Sequence, residues 1–337
     1  MSYSSLAAES YLLCCDWGTS SLRLQLVDII SSKTVATSNA EDGVSKVFNE
    51  WKETSEVERL PFYQSRLKIH IDNISSAINL SLKSVPLVIS GMASSSIGMV
   101  ELPYSVLPFD LSGEKAGICV IEESEIFPHS ILLVSGVQSN IDVMRGEETQ
   151  FIGLEQIIQS LDGISNSLLI MTGTHSKHIR VIDGKMVDFN TYMTGELFSV
   201  LQKNSLLKQA IEMPTGDLTL DDFDAFSYGI QKSASFNLLK NLFSVRTGEL
   251  FQHRNKRQNY FYLSGLLIGT ELRSVLNGNW EKIILCSGNK LFELYKKAIE
   301  ELGMGSVAHF VLPEAMTDAT ILGQIKIYQS KYHDVKY

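Results

Sequence analysis

Hydrophobic and polar residues alternate in two similar segments, one near the start of each half of the chain. The first, at 11–28, is an apolar run, a polar break and then an alternation of leucines with polar residues. The second, at 167–188, repeats this order and contains the hairpin turn signal Asp183-Gly184. Alternation with a period of two is typical of a half-buried strand. We therefore predict an internal repeat in which a β-hairpin opens each half.

Segments with helical spacing and further apolar strands lie between and after these hairpins. Apolar residues recur at helical spacing in 58–83, in RGEETQFIGLEQIIQSL and over most of 190–280. The other predicted elements are strands at Val85–Ser90, Leu132–Gly136 and Val307–Leu312, a strand and helix in EKIILCSGNKLFELYKKAIEEL, and a last helix at Ala315–Ser330. This succession of strands and helices predicts an α/β protein.

The predicted domains follow from the length and from the repeat. A chain of 337 residues has room for two domains of ordinary size. We place an N-terminal domain at 1–146 and a C-terminal domain at 147–337, the latter with a mainly helical insertion at about 190–280. No low-complexity linker separates the halves, so the boundary falls in the helix that begins at Gly146. A helix shared in this way would behave as a hinge.

Composition and charge narrow the class of protein. A hydrophobic content of 44% suits a globular chain, and no run approaches the roughly 20 apolar residues of a membrane-spanning helix. The first ten residues carry no positive charge, so we expect a frayed tail rather than a secretory signal peptide. A net charge of -9 disfavours nucleic acid as a partner, because phosphate binding needs a dense basic face. The four cysteines lack CxxC spacing and favour a reducing, cytoplasmic location.

The first hairpin turn carries the sequence Asp16-Trp17-Gly18-Thr19-Ser20. Glycine lets the backbone approach a phosphate closely, and the hydroxyls and amides around it can donate to phosphate oxygens. A carboxylate at the end of a strand can hold Mg²⁺ through water. An ordinary hairpin with a polar tip would show the same short pattern, so this motif alone leaves both interpretations open.

The second hairpin turn, TGTHSK at 172–177, supplies a matching phosphate motif. Two Gly/Thr/Ser hairpins, each opening half of one chain, favour a nucleotide whose phosphates both turns contact. Gly173 and Thr174 are the candidate phosphate ligands, and Lys177 either touches a phosphate or caps the strand in solvent. His175 and His178 do not suit a shared metal, because odd spacing on an alternating strand places them on opposite faces.

A third glycine turn, Cys286-Ser287-Gly288-Asn289, follows an apolar strand and leads into a helix. A glycine there lets a flat base lie against the backbone, while the helix N-terminus faces the ligand. Any α/β protein has such turns, but this one follows the second phosphate hairpin. We therefore take Ser287, Gly288 and Asn289 as candidate adenosine-binding residues.

Phosphoryl-transfer chemistry is predicted for the segment DVMRGEET at 142–149. Transfer to a sugar hydroxyl needs a carboxylate that accepts the hydroxyl proton. Glu147 is the candidate base and Asp16 the second candidate catalytic carboxylate, while Glu148 and Asp142 remain alternatives for the base. Acidic residues in the first turn of a helix also stabilise it through the dipole, so a structural role explains them as well.

Substrate contacts are predicted on both sides of this segment. Arg145 suits a substrate carboxylate, because guanidinium forms bidentate pairs with carboxylates. An internal salt bridge from Arg145 to Glu147 or Glu148 is the alternative. The sequence SGMASSS at 90–96 follows a strand, and either a sugar-binding turn or a plain helix cap explains it. Its candidate substrate residues are Gly91, Met92, Ser94 and Ser95.

These motifs occur together, in this order, in the actin-like, sugar kinase and Hsp70 superfamily. Within it the chain resembles the 2-dehydro-3-deoxygalactonokinases, from about residue 12 to residue 325, through DWGTSSLR, SGMASS, VMRGEETQFIG, TGTHSKH, MTGELF and YLSGLLIG. MRGEETQ and GTHSK are fairly specific to that family, whereas DWGTS is not. The resemblance implies an α/β fold of two ribonuclease H-like domains facing each other across a nucleotide cleft.

The resemblance also implies an activity: ATP-dependent phosphorylation of the terminal hydroxyl of 2-dehydro-3-deoxy-D-galactonate, with Mg²⁺, in galactonate catabolism. The residues it assigns are Asp16, Gly18 and Thr19 at the first phosphate site, Gly173, Thr174 and Lys177 at the second, Gly288 at the adenosine, and Arg145 and Glu147 at the sugar acid. Two departures are Ser94 and Thr172, where the family often has glycine and proline. Related 2-keto-3-deoxy sugar acids therefore stay open as substrates.

Two other functions fit the same motifs. A kinase for another sugar or sugar acid would differ in whether it phosphorylates substrates that lack a carboxylate. A nucleotide-driven conformational ATPase, like actin or Hsp70, would hydrolyse ATP without a sugar. The expected partners are a small sugar acid and ATP, with no nucleic acid and no membrane, and the sequence leaves a homodimer open.

Overall fold

The computed structural model describes residues 10–54, 57–155, 166–235 and 237–333. Contacts divide the chain into two compact units, called unit 1 and unit 2 below. Unit 1 comprises Met1–Asp162, Gly184–Val187 and Thr317–Tyr337, and unit 2 comprises Gly163–Asp183 and Asp188–Met316. The expected N-terminal tail at 1–9 and the continuation of the predicted helix at 156–161 lie outside the described residues.

Unit 1 is built on a sheet that begins with the predicted first hairpin. The strands of unit 1 are β1 Tyr11–Trp17, β2 Leu22–Asp28, β3 Lys33–Ala40, β4 Leu87–Gly91, β5 Ser105–Val106, β6 Phe109–Asp110, β7 Ile118–Ile121, β8 Ile131–Val134, β9 Val137–Gln138 and β10 Val143–Met144. The main sheet has the order β3-β2-β1-β4-β8-β7, and β10, β9 and β5 form a small second sheet. β1 pairs antiparallel with β2 and parallel with β4, and β4 pairs parallel with β8.

Unit 2 begins with the second hairpin. Its strands are β11 Ser167–Met171, β12 Ser176–Ile182, β13 Lys185–Tyr192, β14 Lys282–Cys286 and β15 Ala308–Val311. They lie in the order β15-β14-β11-β12-β13. β11 pairs antiparallel with β12 and parallel with β14, and β14 pairs parallel with β15. The first residues of β13 belong to unit 1, where Lys185 and Met186 pair with β6.

The two sheets share one topology, which confirms the predicted repeat. In each, a meander of three strands is extended by two parallel strands: β3-β2-β1-β4-β8 in unit 1 and β13-β12-β11-β14-β15 in unit 2. This is the ribonuclease H-like arrangement that the resemblance implied for the two domains. The hairpin between β12 and β13 turns at Asp183 and Gly184, whose φ angles of 49° and 72° suit a two-residue turn with both central residues left-handed.

Except for the helix at Val44–Glu53, which was not predicted, the helices follow the predicted pattern. They are α1 Val44–Glu53, α2 Arg59–Ile78, α3 Glu147–Gly153, α4 Thr194–Asn204, α5 Leu220–Lys232, α6 Leu238–Leu250, α7 Lys256–Arg273, α8 Asn289–Glu301 and α9 Pro313–His333. Helices α4 to α7 confirm the mainly helical segment at 190–280. Among the described residues, no helix combines the length and the apolar character needed to cross a membrane.

Alternation along β2 explains how the core of unit 1 forms. Leu22, Leu24 and Leu26 are buried while Arg23 is exposed, because successive side chains of a strand point to opposite faces. Trp17, at the end of β1, packs against Tyr63 of α2 with 5.4 Å between the ring centroids. The apolar side chains of the hairpin therefore hold the polar turn at 18–21 at the edge of a packed core.

The connection between the units differs from the boundary suggested by the sequence at 146. Helix α3 and most of α9 belong to unit 1. They approach so closely that a Cβ on Gly153 would overlap the carbonyl of Ala319, and a Cβ on Gly323 would overlap that of Thr149. Glycine at both crossings lets the helix backbones touch, and this contact keeps the C-terminal helix with the first sheet. Hinge behaviour of α3 stays a prediction.

Candidate active site

Asp16 lies at the end of β1, beside Ser90 of β4 and opposite Arg23 of β2. Burial raises the pKa of the Asp16 carboxyl above its ordinary value, Arg23 opposes this shift and Glu147 adds to it. The effect of Glu147 on Asp16 means that the two carboxylates interact electrostatically within unit 1. The two candidate catalytic carboxylates thus belong to one site.

The hairpin turn after Asp16 rests on the start of helix α1. The amide of Val44 donates to the carbonyl of Gly18 at 2.9 Å, and the amide of Ser45 donates to that of Thr19 at 3.2 Å. Gly43 precedes α1, and a Cβ there would overlap the backbone of the turn. Thr19 and the next residue, Ser20, are exposed. The predicted phosphate turn therefore presents free hydroxyls on a backbone that the helix holds in place.

A second turn, at Gly91, lies against the end of β1. Gly91 has a φ angle of 90°, and a Cβ there would lie 2.7 Å from the carbonyl oxygen of Trp17 and 3.5 Å from Oδ1 of Asp16. Only glycine combines this backbone conformation with such a close approach. Gly146, with φ of 110°, would place a Cβ 3.5 Å from the α carbon of Gly91. Unit 1 therefore brings together three predicted segments: 16–20, 90–96 and 142–149.

The serines after Gly91 use their hydroxyls inside the turn. Ser94 is fully buried, and its Oγ accepts a hydrogen bond from Nη1 of Arg145 at 2.7 Å. Ser95 is also buried and donates to the carbonyl oxygen of Met92 at 2.7 Å. These bonds orient the turn and the arginine beside it. Direct contact of Met92, Ser94 and Ser95 with a sugar stays a prediction.

Arg145 is held by unit 1 on three sides. Besides its bond to Ser94, it donates to the carbonyl oxygen of Leu102 at 3.4 Å, and its guanidinium stacks on the ring of Tyr104 with 4.1 Å to the centroid. Its Nε is buried and lacks a hydrogen-bond partner among the described residues. The guanidinium is therefore oriented before any ligand arrives, and it retains donor capacity for an anion.

Glu147 and Glu148 occupy different surroundings in the first turn of α3. Glu148 is fully buried, accepts from the amide of Gly146 at 2.7 Å and from the hydroxyl of Thr149 at 3.0 Å. Burial, with a contribution from Glu147, raises the pKa of Glu148 to about 7. Glu147 is partly exposed, and its Oε2 accepts from the amide of Arg145 at 3.2 Å. The local geometry gives Glu148 a structural role and leaves Glu147 accessible.

The second hairpin repeats the support of the first within unit 2. The amide of Glu196, in the first turn of α4, donates to the carbonyl of Thr174 at 3.0 Å. A Cβ on Gly195 would lie 2.5 Å from the carbonyl oxygen of Gly173, whereas a Cβ on Gly173 itself would meet no atom within 4 Å. The turn is thus packed on one side and open on the other. Lys177, at 4% exposure, is buried rather than extended into solvent.

The two histidines of this hairpin have different partners, because His175 lies in the turn before β12 and His178 lies within the strand. His175 pairs with Glu196 at the surface, and Nε2 of His178 lies 2.9 Å from Oε1 of Glu271 in the interior of unit 2. Over the described ranges, no group of three or more His, Cys, Asp or Glu side chains is arranged to hold a metal ion.

The predicted adenosine turn adjoins the second hairpin. Thr172 and Ser287 share a hydrogen bond of 2.6 Å between their hydroxyls, and the amide of Thr172 donates to the carbonyl of Cys286 at 3.0 Å. Gly288 and Asn289 are exposed, and a Cβ on Gly288 would meet nothing within 4 Å. Unit 2 therefore places both glycine turns side by side with open space above each, while Ser287 is buried beneath them.

Sequence reasoning missed three residues that support these turns: Gly43, Gly195 and Gln324. The amide nitrogen of Gln324 donates to the carbonyl of Cys15 at 2.7 Å and to the hydroxyl of Ser90 at 2.8 Å. Gln324 therefore links β1 to β4 at the residues that directly precede Asp16 and Gly91. The sequence carried one signal for these residues, since Gly195 lies in MTGELF, a motif noted above without a role.

Comparison with known proteins supplies the identity. A family model described as 2-keto-3-deoxy-galactonokinase matches residues 16–323. The chain belongs to this family. It is therefore a kinase, a phosphotransferase whose acceptor is an alcohol group, and membership implies ATP as the phosphoryl donor. This confirms the resemblance that the motifs indicated.

Individual relatives of the kinase agree with the family match. It is 29% identical over 307 residues to a Rhizobium meliloti (strain 1021) protein named "Probable 2-dehydro-3-deoxygalactonokinase DgoK1", covering 89% of this chain and 92% of that one. It is 30% identical over 228 residues to the Escherichia coli (strain K12) 2-dehydro-3-deoxygalactonokinase, covering 66% of this chain and 72% of the relative.

A crystal structure confirms the fold of the kinase. The structure, of a Sinorhizobium meliloti protein described as a 2-dehydro-3-deoxygalactonokinase, matches with a TM-score of 0.75 and 26% identity. The match covers 95% of this chain and 96% of that chain. The two repeated sheets therefore belong to a fold already seen in this family.

Proposed function

We propose that this kinase transfers the γ-phosphoryl group of ATP to the terminal hydroxyl of 2-dehydro-3-deoxy-D-galactonate, with Mg²⁺, in galactonate catabolism. The observation that carries the proposal is the Arg145-Gly146-Glu147 segment, which presents an oriented guanidinium and an accessible carboxylate on either side of one glycine. A sugar acid has a carboxylate that can bind the guanidinium of Arg145 and a hydroxyl that can give its proton to Glu147.

Arg145 is the proposed contact to the substrate carboxylate. Its guanidinium is already fixed by Ser94, Leu102 and Tyr104, so little conformational entropy is lost when it binds. Besides the bonds to Ser94 and Leu102, the guanidinium has further N–H donors that suit a carboxylate. A neutral sugar would leave the guanidinium without its anion.

Glu147 is the proposed general base. Glu148 is buried and bound to the amide of Gly146, while Oδ1 of Asp142 accepts from the amide of Val143 at 2.7 Å in the loop before β10. Among Glu147, Glu148 and Asp142, Glu147 is partly exposed and is the one whose charge helps to raise the pKa of Asp16. It would accept the hydroxyl proton as the new O–P bond forms and ADP departs with the electrons of the broken bond.

The two hairpins are the proposed phosphate contacts. In unit 1 these are Gly18, Thr19 and Ser20, and in unit 2 they are Gly173, Thr174 and Lys177. Each turn has its backbone braced by a helix start, which suits positioning and charge stabilisation of a phosphoryl group. Gly288 and Asn289, beside the second hairpin, would contact the adenosine. Ser287, a third predicted contact, is fully buried and bonded to Thr172, so it would support the turn from beneath.

Asp16 fits the proposed Mg²⁺. Burial, with a contribution from Glu147, disfavours the ionised form of Asp16 and raises its pKa, and a nearby cation would stabilise the ionised carboxylate. Mg²⁺ keeps several waters and binds through one or two carboxylates together with substrate phosphates. Asp16 would hold it through water, and the ion would supply charge neutralisation at the phosphates.

The test is release of ADP by the purified protein with Mg-ATP. Four reactions are compared, which contain 2-keto-3-deoxygalactonate, 2-keto-3-deoxygluconate, a neutral aldose or no sugar as the acceptor. Strong release with the first acid alone supports the proposal. Equal release with both acids widens the substrate class, phosphorylation of the neutral aldose contradicts the role of Arg145, and release that ignores the sugar favours a conformational ATPase.

The base is tested separately with Glu147→Gln. We expect a fall in kcat of at least about 100-fold, the usual contribution of a positioned general base, with KM for ATP little changed. Glu148→Gln is the matched control at the adjacent buried position. If Glu147→Gln keeps most of its turnover, the base is another residue.

A further inference from the structure

Unit 2 contains a buried carboxylate that the proposed chemistry does not use. Glu271 lies on α7 with 3% of its surface exposed. A buried carboxylate is costly unless donors surround it, and a neighbouring apolar core offers none. Its partners therefore identify which parts of the fold it holds together.

Three donors from three separate elements meet at Glu271. His178 of β12 lies 2.9 Å from Oε1, and the hydroxyl of Tyr295 on α8 donates to Oε2 at 2.8 Å. The hydroxyl of Thr194, the first residue of α4, also donates to Oε2. Tyr295 in turn shares a hydrogen bond of 3.0 Å with Ser176.

The partners of this network flank the second phosphate hairpin. Ser176 is the first residue of β12, directly after the turn, and Thr194 immediately precedes Gly195, on which the turn rests. One carboxylate thus fixes the strand that leaves the hairpin and the helix start that braces its tip. A shift of either element would move Gly173 and Thr174.

The first hairpin is supported differently. By strand register, Arg23 in unit 1 occupies the place of His178, since Asp16 pairs with Arg23 and Ile170 pairs with His178. Arg23 is exposed, whereas His178 is buried. The buried network is therefore a feature of the second hairpin and not a general requirement of the repeated fold.

We propose that Glu271, with Tyr295 and Thr194, is a positioning residue that sets the second hairpin for ATP, acting through the backbone of Gly173 and Thr174. The inference rests on the proposed role of this hairpin as a phosphate contact. Both carboxylate oxygens of Glu271 have hydrogen-bond partners, so the network fixes the geometry of the elements around it as well as contributing to stability.

The experiment compares two tyrosine variants of the full chain, Tyr295→Phe and Tyr262→Phe. Tyr262 is a matched control, because it is also buried in unit 2 and its hydroxyl shares a hydrogen bond of 2.7 Å with Ser244, outside the network. The readouts are the dissociation constant for ATP without sugar, KM for ATP and for the sugar acid, and Tm.

We expect both variants to lose similar thermal stability, and only Tyr295→Phe to bind ATP about tenfold more weakly, with KM for the sugar acid unchanged. Glu271→Gln should show the same selective loss and provides a second measurement if Tyr295→Phe folds poorly. Equal ATP affinity in Tyr295→Phe, Glu271→Gln and Tyr262→Phe would overturn the proposal and leave the network a purely structural feature.

The direct binding measurement separates this inference from the proposed reaction. A wild-type protein that binds ATP but ignores the sugar acid contradicts the substrate assignment, while the comparison of variants still decides the role of Glu271. A wild-type protein that does not bind ATP contradicts both.

Discussion

A Cβ built on Gly195 would stand 2.5 Å from the carbonyl oxygen of Gly173. The second proposed phosphate turn therefore packs against a glycine in the first turn of helix α4. Gly43 has the same relation to the first turn, so the two repeats share a way of supporting a hairpin as well as a strand order.

Gly195→Ala should weaken ATP binding despite favouring the helix. Alanine is the better helix former by about 1 kcal/mol, but its methyl group must displace the turn at Gly173. We expect KM for ATP to rise about tenfold or more, since small displacements of binding groups are costly.

Gly305→Ala is the control, because its Cβ would meet only ordinary contacts, the nearest at 3.6 Å. Steady-state kinetics with varied ATP check the prediction. Unchanged KM in Gly195→Ala would show that the turn tolerates displacement.

Glu148 should make the protein less stable as pH rises from about 4.5 to 7. Its ordinary pKa of 4.5 is raised to about 7 by burial, so in this window the unfolded chain releases a proton that the folded chain retains. The stabilisation is complete below the unfolded pKa and is lost through the folded pKa, by up to about 3 kcal/mol.

Glu148→Gln should remove that dependence. Urea unfolding of wild type and variant at pH 5 and pH 8 checks the prediction, with the exposed Glu123→Gln as a control. Parallel pH profiles for wild type and Glu148→Gln would mean that Glu148 titrates normally.

The strands and helices followed from the sequence because their signals are local. Leu22, Leu24 and Leu26 alternate on β2 as predicted, whereas the first four residues of β12 are all buried and only its second half alternates. The difference between Glu147 and Glu148 was not predictable in this way. They are adjacent in one helical turn, and only the packing of α3 decides which of them is buried.

Contacts between residues that are far apart in sequence could not be predicted from local patterns either. Gln324 is 309 residues from Cys15 in sequence, and nothing in its neighbourhood indicates that its amide bonds to β1. Gly43 and Gly195 acquire their role only when a helix start meets a hairpin. The assignment of α9 to unit 1 has the same cause, since it depends on contacts at both Gly153 and Gly323.

Gln324→Leu should destabilise the protein by about 1–3 kcal/mol, because Ser90 and the Cys15 carbonyl lose a buried donor without any loss of side-chain volume. The control is Gln150→Leu, which removes a longer, partly buried bond of 3.3 Å to Thr320. Urea unfolding compares the two variants. Equal losses would mean that the amide of Gln324 has no special role.

Arg145→Lys should raise KM for the sugar acid about 10-fold to 100-fold while leaving KM for ATP unchanged. Lysine keeps the charge but loses the planar fork and the stacking on Tyr104. Arg246→Lys, at a partly exposed pair with Glu249 on α6, is the control. A KM for the sugar acid within twofold of wild type would contradict a carboxylate contact at Arg145.

The return of α9 to the first sheet has a consequence for synthesis on the ribosome. The β1 and β4 strands emerge early, but Gln324 emerges only after the whole of unit 2. A nascent chain therefore carries strand ends beside Asp16 and Gly91 that lack their amide donor until the whole of unit 2 has been made. The strands that lead into the proposed phosphate turn of unit 1 therefore acquire this support only after unit 2 has been synthesised.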